Sequence, residues 1–432
     1  MGAAVFSQDF KATPYWWERV PRPDLGAPPL PERVDVVVVG SGYTGLNAAL
    51  ETARGGRATL VLDAEAAGFG CSSRNGGQIS TSIKPDLDEL TRRYGRDRAV
   101  AILKEGRAAL AWIEGFVGEE GIDCDFRIGG RFHAAHNARA YERLTAALAA
   151  EEPELSSGGI AVPRAEQRRE IGTDAYFGGV VFPKHAALDP GRYHAGLLER
   201  ALAAGAAVVP YCPVTALRRE AGGIEVETPR GRVKARNVVV ATNGYTGPPT
   251  PWLRRRIIPI GSYIIATEPV GTELMAKLIP HDRVVSDTRR VVYYYRASPD
   301  RTRMLFGGRV SATETDPRIS GPRLHAEMAR LFPELGAARV SHSWAGTVAY
   351  TFDTLAHVGE HEGVHFALGY CGSGVSMASY FGMRLGRQVL GRADGRTAFD
   401  GLPFPTRPFY TGRPWFLGTS VAWFRWLDRL PI

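Results

Sequence analysis

The chain has 432 residues, of which 44% are hydrophobic, 10% aromatic and 23% charged, with 53 basic against 45 acidic side chains and a formal charge of +8. This exceeds the roughly 250–300 residues at which one core stops growing, so two domains are expected and a small stapled scaffold or a disordered chain is excluded. Only six basic residues are lysines (11, 84, 104, 184, 234 and 277) and the arginines are scattered, which excludes a nucleic-acid stripe and mildly favours an anionic small molecule.

Cys71, Cys124, Cys212 and Cys371 form no CxxC and no zinc spacing, so no metal is expected. No apolar leader core follows Met1, and no stretch reaches the ~18 apolar residues of a membrane span. The expectation is a cytoplasmic protein whose membrane contact is at most peripheral. Residues 1–32 carry six prolines and Tyr15-Trp16-Trp17, which predicts an extended arm whose aromatics dock on a folded surface.

Val34–Val39 is a β-branched run without a polar face, as in a buried parallel strand. It ends in Gly40-Ser41-Gly42-Tyr43-Thr44-Gly45 and is followed by the helix-forming segment 46–53. In a strand–GxGxxG–helix order, Gly40 permits the turn, Gly42 lets amides approach a pyrophosphate and Gly45 lets the helix pack on the strand. A second strand, Ala58–Leu62, ends in Asp63-Ala64, and Asp63 lies 18 residues beyond Gly45, where a ribose-binding carboxylate belongs. These elements predict an ADP-binding unit without choosing between NAD and FAD.

The loop Gly68-Phe69-Gly70-Cys71-Ser72-Ser73-Arg74-Asn75-Gly76-Gly77-Gln78 offers small and polar positions around one arginine, suited to following an extended ligand past its pyrophosphate. Here the sequence resembles the D-amino-acid oxidase superfamily of FAD enzymes, in the branch around γ-glutamylputrescine oxidoreductase and the sarcosine and glycine oxidases. That branch carries a Gly-Arg-Asn-Gly-Gly-Gln-like element at this place; Ser73 stands here for the glycine before the arginine and Cys71 for a small residue.

The resemblance extends along most of the chain. It maps a backbone contact to adenine onto Val214, at the end of a strand predicted over 206–214. A hairpin is predicted from Ile224–Thr228 and Val233–Ala235, and a buried strand from Val238 ends in Ala241-Thr242-Asn243-Gly244, the element closing the FAD domain. Gly369-Tyr370-Cys371-Gly372-Ser373-Gly374-Val375 precedes a helix towards Leu390; by resemblance its N-terminus faces the flavin edge where charge accumulates on reduction.

The implied fold is α/β, α+β overall: a Rossmann-like FAD-binding domain of the glutathione-reductase type (33–119, 181–249 and 346–400). A discontinuous substrate domain (120–180 and 250–345) is built on a mixed or antiparallel sheet, and 401–432 is an aromatic tail expected to pack on the protein, with docking at a membrane interface as the alternative. FAD is expected to be held without a covalent link. The implied reaction is oxidation of the C–N bond of an amine or amino acid by hydride transfer to flavin N5, with hydrolysis of the imine and reoxidation by oxygen or another acceptor. The implied substrates are γ-glutamylated polyamines, N-alkyl amino acids or similar zwitterions.

Such chemistry needs aromatic walls and an anion anchor more than an acid–base pair. Tyr263, Tyr293, Tyr294, Tyr295 and Trp344, with Arg296 and Arg309, are the pocket candidates on predicted strands; His133 and His342 read as core histidines before they read as bases. No catalytic residue is singled out. The lysine that promotes reaction with oxygen in sarcosine-oxidase-like relatives aligns with Leu305, and the later Asp-x-x-Pro-x-Ile-Gly element appears as Asp353–Gly359 without its proline. A monooxygenase or disulfide reductase would need a second GxGxxG unit or a CxxC, and neither occurs. A non-catalytic or electron-transfer flavin subunit, or a flavoprotein monooxygenase, stands as the alternative.

Overall fold

The computed structural model describes residues 5–309 and 315–428 and is organised by two sheets. In the first, Arg33–Val39 runs parallel to Thr59–Leu62 on one side and to Gly231–Val240 on the other, with Ala207–Val209 beyond Thr59–Leu62. Val36, Val38, Val61 and Val239 meet the helices Tyr43–Arg54, Pro190–Ala203 and Gly374–Val389. Val37, Leu60, Leu62, Val238 and Val240 pack on the opposite face with Ile224, Val226 and Val233 of the adjoining hairpin. Both faces are covered, which is why the run Val34–Val39 is apolar throughout instead of alternating.

Two predicted elements differ. The second arm of the hairpin and the buried strand are one strand, Gly231–Val240, so the polar pair Arg236-Asn237 marks a change of partner and not a turn. The strand predicted over 206–214 is only Ala207–Val209, because Pro210 and Pro213 lack an N–H and Tyr211 has φ 52°.

The second sheet has nine strands in the order Phe6–Lys11, Val340–Tyr350, Ile258–Thr267, Met304–Gly308, Tyr293–Ala297, Val284–Asp287, Arg131–Ala134, Gly179–Phe182 and Ile160–Val162. It is mixed: Phe6–Lys11 joins the edge in parallel and Val284–Asp287 pairs in parallel with Arg131–Ala134, while the other neighbours are antiparallel. The helix Pro317–Leu331 fills one face through Leu324, Met328 and Leu331. The N-terminal arm therefore supplies an edge strand and a single turn, Tyr15–Glu18, that buries Tyr15 and Trp16.

No helix among the described residues is long and apolar enough to cross a membrane. Part of the C-terminal segment does not pack as its composition predicts. The helix Leu417–Leu427 buries Leu417 and Val421 beside Ile258, Ile260 and Tyr410, while Trp415, Trp423, Phe424 and Trp426 stay exposed. Residues 429–432, the end of the predicted tail, lie outside the described residues.

Candidate functional site

A cavity of about 990 Å³ extends from the C-terminal ends of the parallel strands to the face of the nine-stranded sheet. That is the upper end of the ~300–1,000 Å³ usual for ligand pockets. At one end, Gly40 turns the chain with φ 103°, and a Cβ on Gly45 would sit 1.8 Å from the Gly40 carbonyl oxygen, so only glycine lets this helix cross its strand. Gly42 begins the helix with no capping side chain of its own, and Ser72 Oγ accepts from Tyr43 N at 2.9 Å. Asp63 is held in place: Oδ2 accepts from Ser41 N at 2.8 Å and Ser41 Oγ at 2.6 Å, and Oδ1 from Glu65 N at 3.0 Å. Asp63, Ala64 and Val214 line this end.

Three indoles fasten the glycine-rich loop: Trp16 donates to Asn75 O at 2.8 Å, Trp17 to Ser73 Oγ at 2.8 Å and Trp344 to Arg74 O at 2.7 Å. Asn75 closes the loop on itself, accepting from Gly77 N at 2.7 Å and donating to Cys71 O at 3.0 Å. Gln78 Nε2 ties it to the large sheet through Val285 O at 3.2 Å. Ser72, Arg74, Asn75, Gly76 and Gln78 reach the cavity with Gly40, Gly42, Tyr43 and Thr44. Gly45, Ser73, Gly77, Gly244 and Gly369 do not line it; they are close-packed behind it, Gly77 against Leu188 O and Gly244 against Thr347 O.

At the other end Thr242 and Asn243 meet Gly372, Ser373, Gly374 and Val375, and Asn243 Oδ1 accepts from Gly369 N at 2.9 Å. The left-handed turn Cys371-Gly372, with φ 51° and 100°, delivers the uncapped N-terminus of the helix Gly374–Val389 to the cavity. Two helix N-termini thus point into one space, each favourable to negative charge. Cys71 donates to Thr347 O at 3.1 Å, and the Cys371 thiol, pushed up by burial, donates to Gly369 O at 3.1 Å.

Over this end Tyr294 and Ser262 share a hydrogen bond of 2.7 Å, and the Tyr294 ring lies beside Gly76. Arg309, Arg131, Lys84 and His133 complete the wall. Arg131 and Arg309 form no salt bridge among the described residues, and Arg131 Nε and Arg309 Nε and Nη2 are buried without a hydrogen-bond partner. Burial pulls both guanidinium groups down to about 10. Asp287 also lines the cavity, yet its carboxylate is taken by Arg289 and by Tyr293 N at 3.1 Å.

Tyr263, Tyr293, Arg296 and Trp344 are corrected as pocket candidates, since none lines the cavity. Alternation turns Tyr263, Tyr293 and Tyr295 to the far face, where they pack in or against the core with Phe306. Arg296 and Trp344 have the right phase but lie under the arm beside Trp16, with Arg296 donating to Leu188 O at 2.8 Å. His342 also faces the arm, 3.2 Å from Glu18. Leu305 is buried with Tyr15, Trp16 and Trp344. Asp353 pairs with His357 at 3.1 Å and is not in the cavity wall. Sequence reasoning missed Arg131 and Lys84; alternation from His133 could have signalled Arg131, whereas nothing local signalled Lys84.

His133 shares a 2.9 Å hydrogen bond with Ser286, and His185 one of 3.2 Å with Thr81. Burial, with Arg131 nearby, pulls them down to about 3 and about 2. The unfolded chain takes these protons near pH 6.5 and the fold refuses them, so each histidine costs up to about 1.4 kcal/mol of stability per pH unit below that value. Calorimetric melting at pH values from about 6.5 down to about 4.5 is expected to show a falling midpoint, with a shallower slope in His185→Gln.

The description FAD dependent oxidoreductase (DAO) matches residues 35–388. Probable oxidoreductase OrdL of Rhizobium meliloti is 30% identical over 423 residues, covering 96% of this chain and 97% of that protein. Gamma-glutamylputrescine oxidoreductase of Escherichia coli is 30% identical over 408 residues, covering 92% of this chain and 93% of its own length. The crystal structure of glycine oxidase from Geobacillus kaustophilus superposes with a TM-score of 0.70 at 21% identity, over 88% of this chain and 99% of that one.

Proposed function

The chain belongs to the family of FAD dependent oxidoreductases, and from that premise we propose that it oxidises the C–N bond of an amine bearing a carboxylate, which Arg309 and Arg131 anchor. It is an FAD-dependent amine or amino-acid oxidoreductase; the carboxylate, the bond and the residue roles are our reading. The cavity suits the cofactor: at Gly42 a Cβ would come within 2.8 Å of Ser72 Oγ, so the backbone there is a cradle that a side chain would fill. In this reading Asp63 and Ala64 hold the ribose, Val214 meets the adenine, and Gly40–Gly45 with Ser72–Gln78 hold the pyrophosphate and the adjoining chain. Thr242–Gly244, Gly369 and Gly372–Val375 face or support the flavin ring, held without a covalent link. When bound, FAD would supply the two-electron oxidant for the amine's C–N bond, and water would convert the resulting imine to a carbonyl compound and an amine or ammonia.

The chain's own part is positioning. Tyr294 walls the space, and the guanidiniums of Arg131, which reaches Ser82 Oγ at 3.5 Å, and of Arg309 carry the substrate assignment through buried nitrogens that make no hydrogen bond. Buried guanidinium nitrogens left without a hydrogen bond are costly unless an anion completes them. Gamma-glutamylated polyamines, N-alkyl amino acids and similar zwitterions all supply a carboxylate and an amine. Mixing the FAD-loaded protein anaerobically with such compounds and with benzylamine or putrescine is expected to bleach the flavin with the carboxylated amines. Bleaching by none of them points to an electron-transfer flavin subunit, and bleaching by NAD(P)H alone to a monooxygenase. Repeating the assay in air reports whether oxygen is the acceptor.

A further inference from the structure

We propose that the C-terminal helix docks the protein onto an anionic lipid bilayer. Every exposed tryptophan and phenylalanine among the described residues lies between positions 409 and 426: Phe409 (94% exposed), Trp415 (80%), Trp423 (54%), Phe424 (38%) and Trp426 (50%). Leu417 and Val421 fasten the helix to Ile258, Ile260 and Tyr410. Trp423 and Trp426 stack on one another, with centroids 4.8 Å apart, while staying exposed. An aromatic concentration of this kind marks an interaction surface and is not the usual scatter of single apolar residues.

The charge around it selects the partner. Between Asp400 and Asp428 there is no acidic residue, whereas Arg407, Arg413 and Arg425 are all present and exposed. Asp428 is occupied, accepting from Arg290 N and Val291 N at 3.0 Å each. A two-fold contact between copies of this segment would set arginines against their own equivalents with no carboxylate to pair them. An anionic bilayer supplies both missing parts: an interfacial zone in which indole rings settle and phosphates that attract arginine. The surface adjoins the catalytic cavity, because Arg425 donates to Arg309 O at 2.9 Å and Arg309, Arg290 and Val291 line that cavity. Docking therefore brings the cavity wall to the lipid surface. The inference stands independently of the substrate assignment.

The test uses the full-length, FAD-loaded protein with phosphatidylcholine vesicles, pure or containing about 30% phosphatidylglycerol. Co-sedimentation with the anionic vesicles, a blue shift of tryptophan emission and weakening by added salt are expected. Trp423→Ser/Trp426→Ser and Arg407→Glu/Arg413→Glu are each expected to lower partitioning on the order of tenfold, with flavin content and solution turnover unchanged. Failure of the unmodified protein to bind anionic vesicles overturns the proposal, as does equal binding by both double variants. A dimer in sedimentation velocity that Trp423→Ser/Trp426→Ser dissolves assigns the surface to a second copy and overturns it as well.

Discussion

Valine in place of Gly42 is expected to give a folded but colourless protein. Gly42 has φ −76° and ψ −174°, extended backbone that valine adopts without strain, and the nearest obstacle to a Cβ is the end of the Ser72 side chain. The fold can absorb that contact. What it cannot restore is the open approach to the helix N-terminus, which the added methyl groups cover. FAD affinity should fall by at least about three orders of magnitude, while far-ultraviolet circular dichroism stays native. Gly45→Ala separates the two effects: its Cβ would lie 1.8 Å from a backbone oxygen, so the helix must lift off the strand and the protein should be lost from the soluble fraction. A yellow Gly42→Val protein, measured by flavin absorbance after gel filtration, would refute the placement of the pyrophosphate.

Arg309→Leu is expected to lower kcat/KM for carboxylated amines by about 10²–10³ while leaving turnover of a neutral amine unchanged or improved. The loss should fall mainly on KM if the guanidinium holds the carboxylate equally in ground and transition states. The unliganded variant provides the discriminating sign. Arg309 Nε and Nη2 are buried without partners, so removing the cation should leave the melting temperature unchanged or raised, whereas removing a guanidinium that braces the fold lowers it. Equal loss of activity towards charged and neutral amines, or a lowered melting temperature, counts against the anchoring role. Arg131→Leu tests the second cation in the same way.

Local physics made much of the nucleotide half readable in advance. Strand, turn and helix are contiguous between Val34 and Ala53, and the conformational demands on Gly40 and Gly45 are settled by residues within one crossover. Asp189 is set as locally, its side chain accepting from Gly191 N and Arg192 N at the start of the helix that Pro190 opens. In the nine-stranded sheet, alternation implies that Tyr294 opposes Tyr293 and Tyr295, but which side faces the cavity depends on the helix Pro317–Leu331 covering the other. Arg296 and Trp344 have the cavity's phase and are withdrawn from it by Trp16, far away in the chain. Lys84, Arg131 and Arg309 come from three separate segments and line one cavity only because the sheet and the glycine-rich loop close on one space. The sequence by itself determined the dinucleotide crossover, because its constraints are short-range sterics. Tertiary structure alone decided which cations face the cavity and which aromatics face solvent, because burial belongs to the packed chain and not to any segment of it.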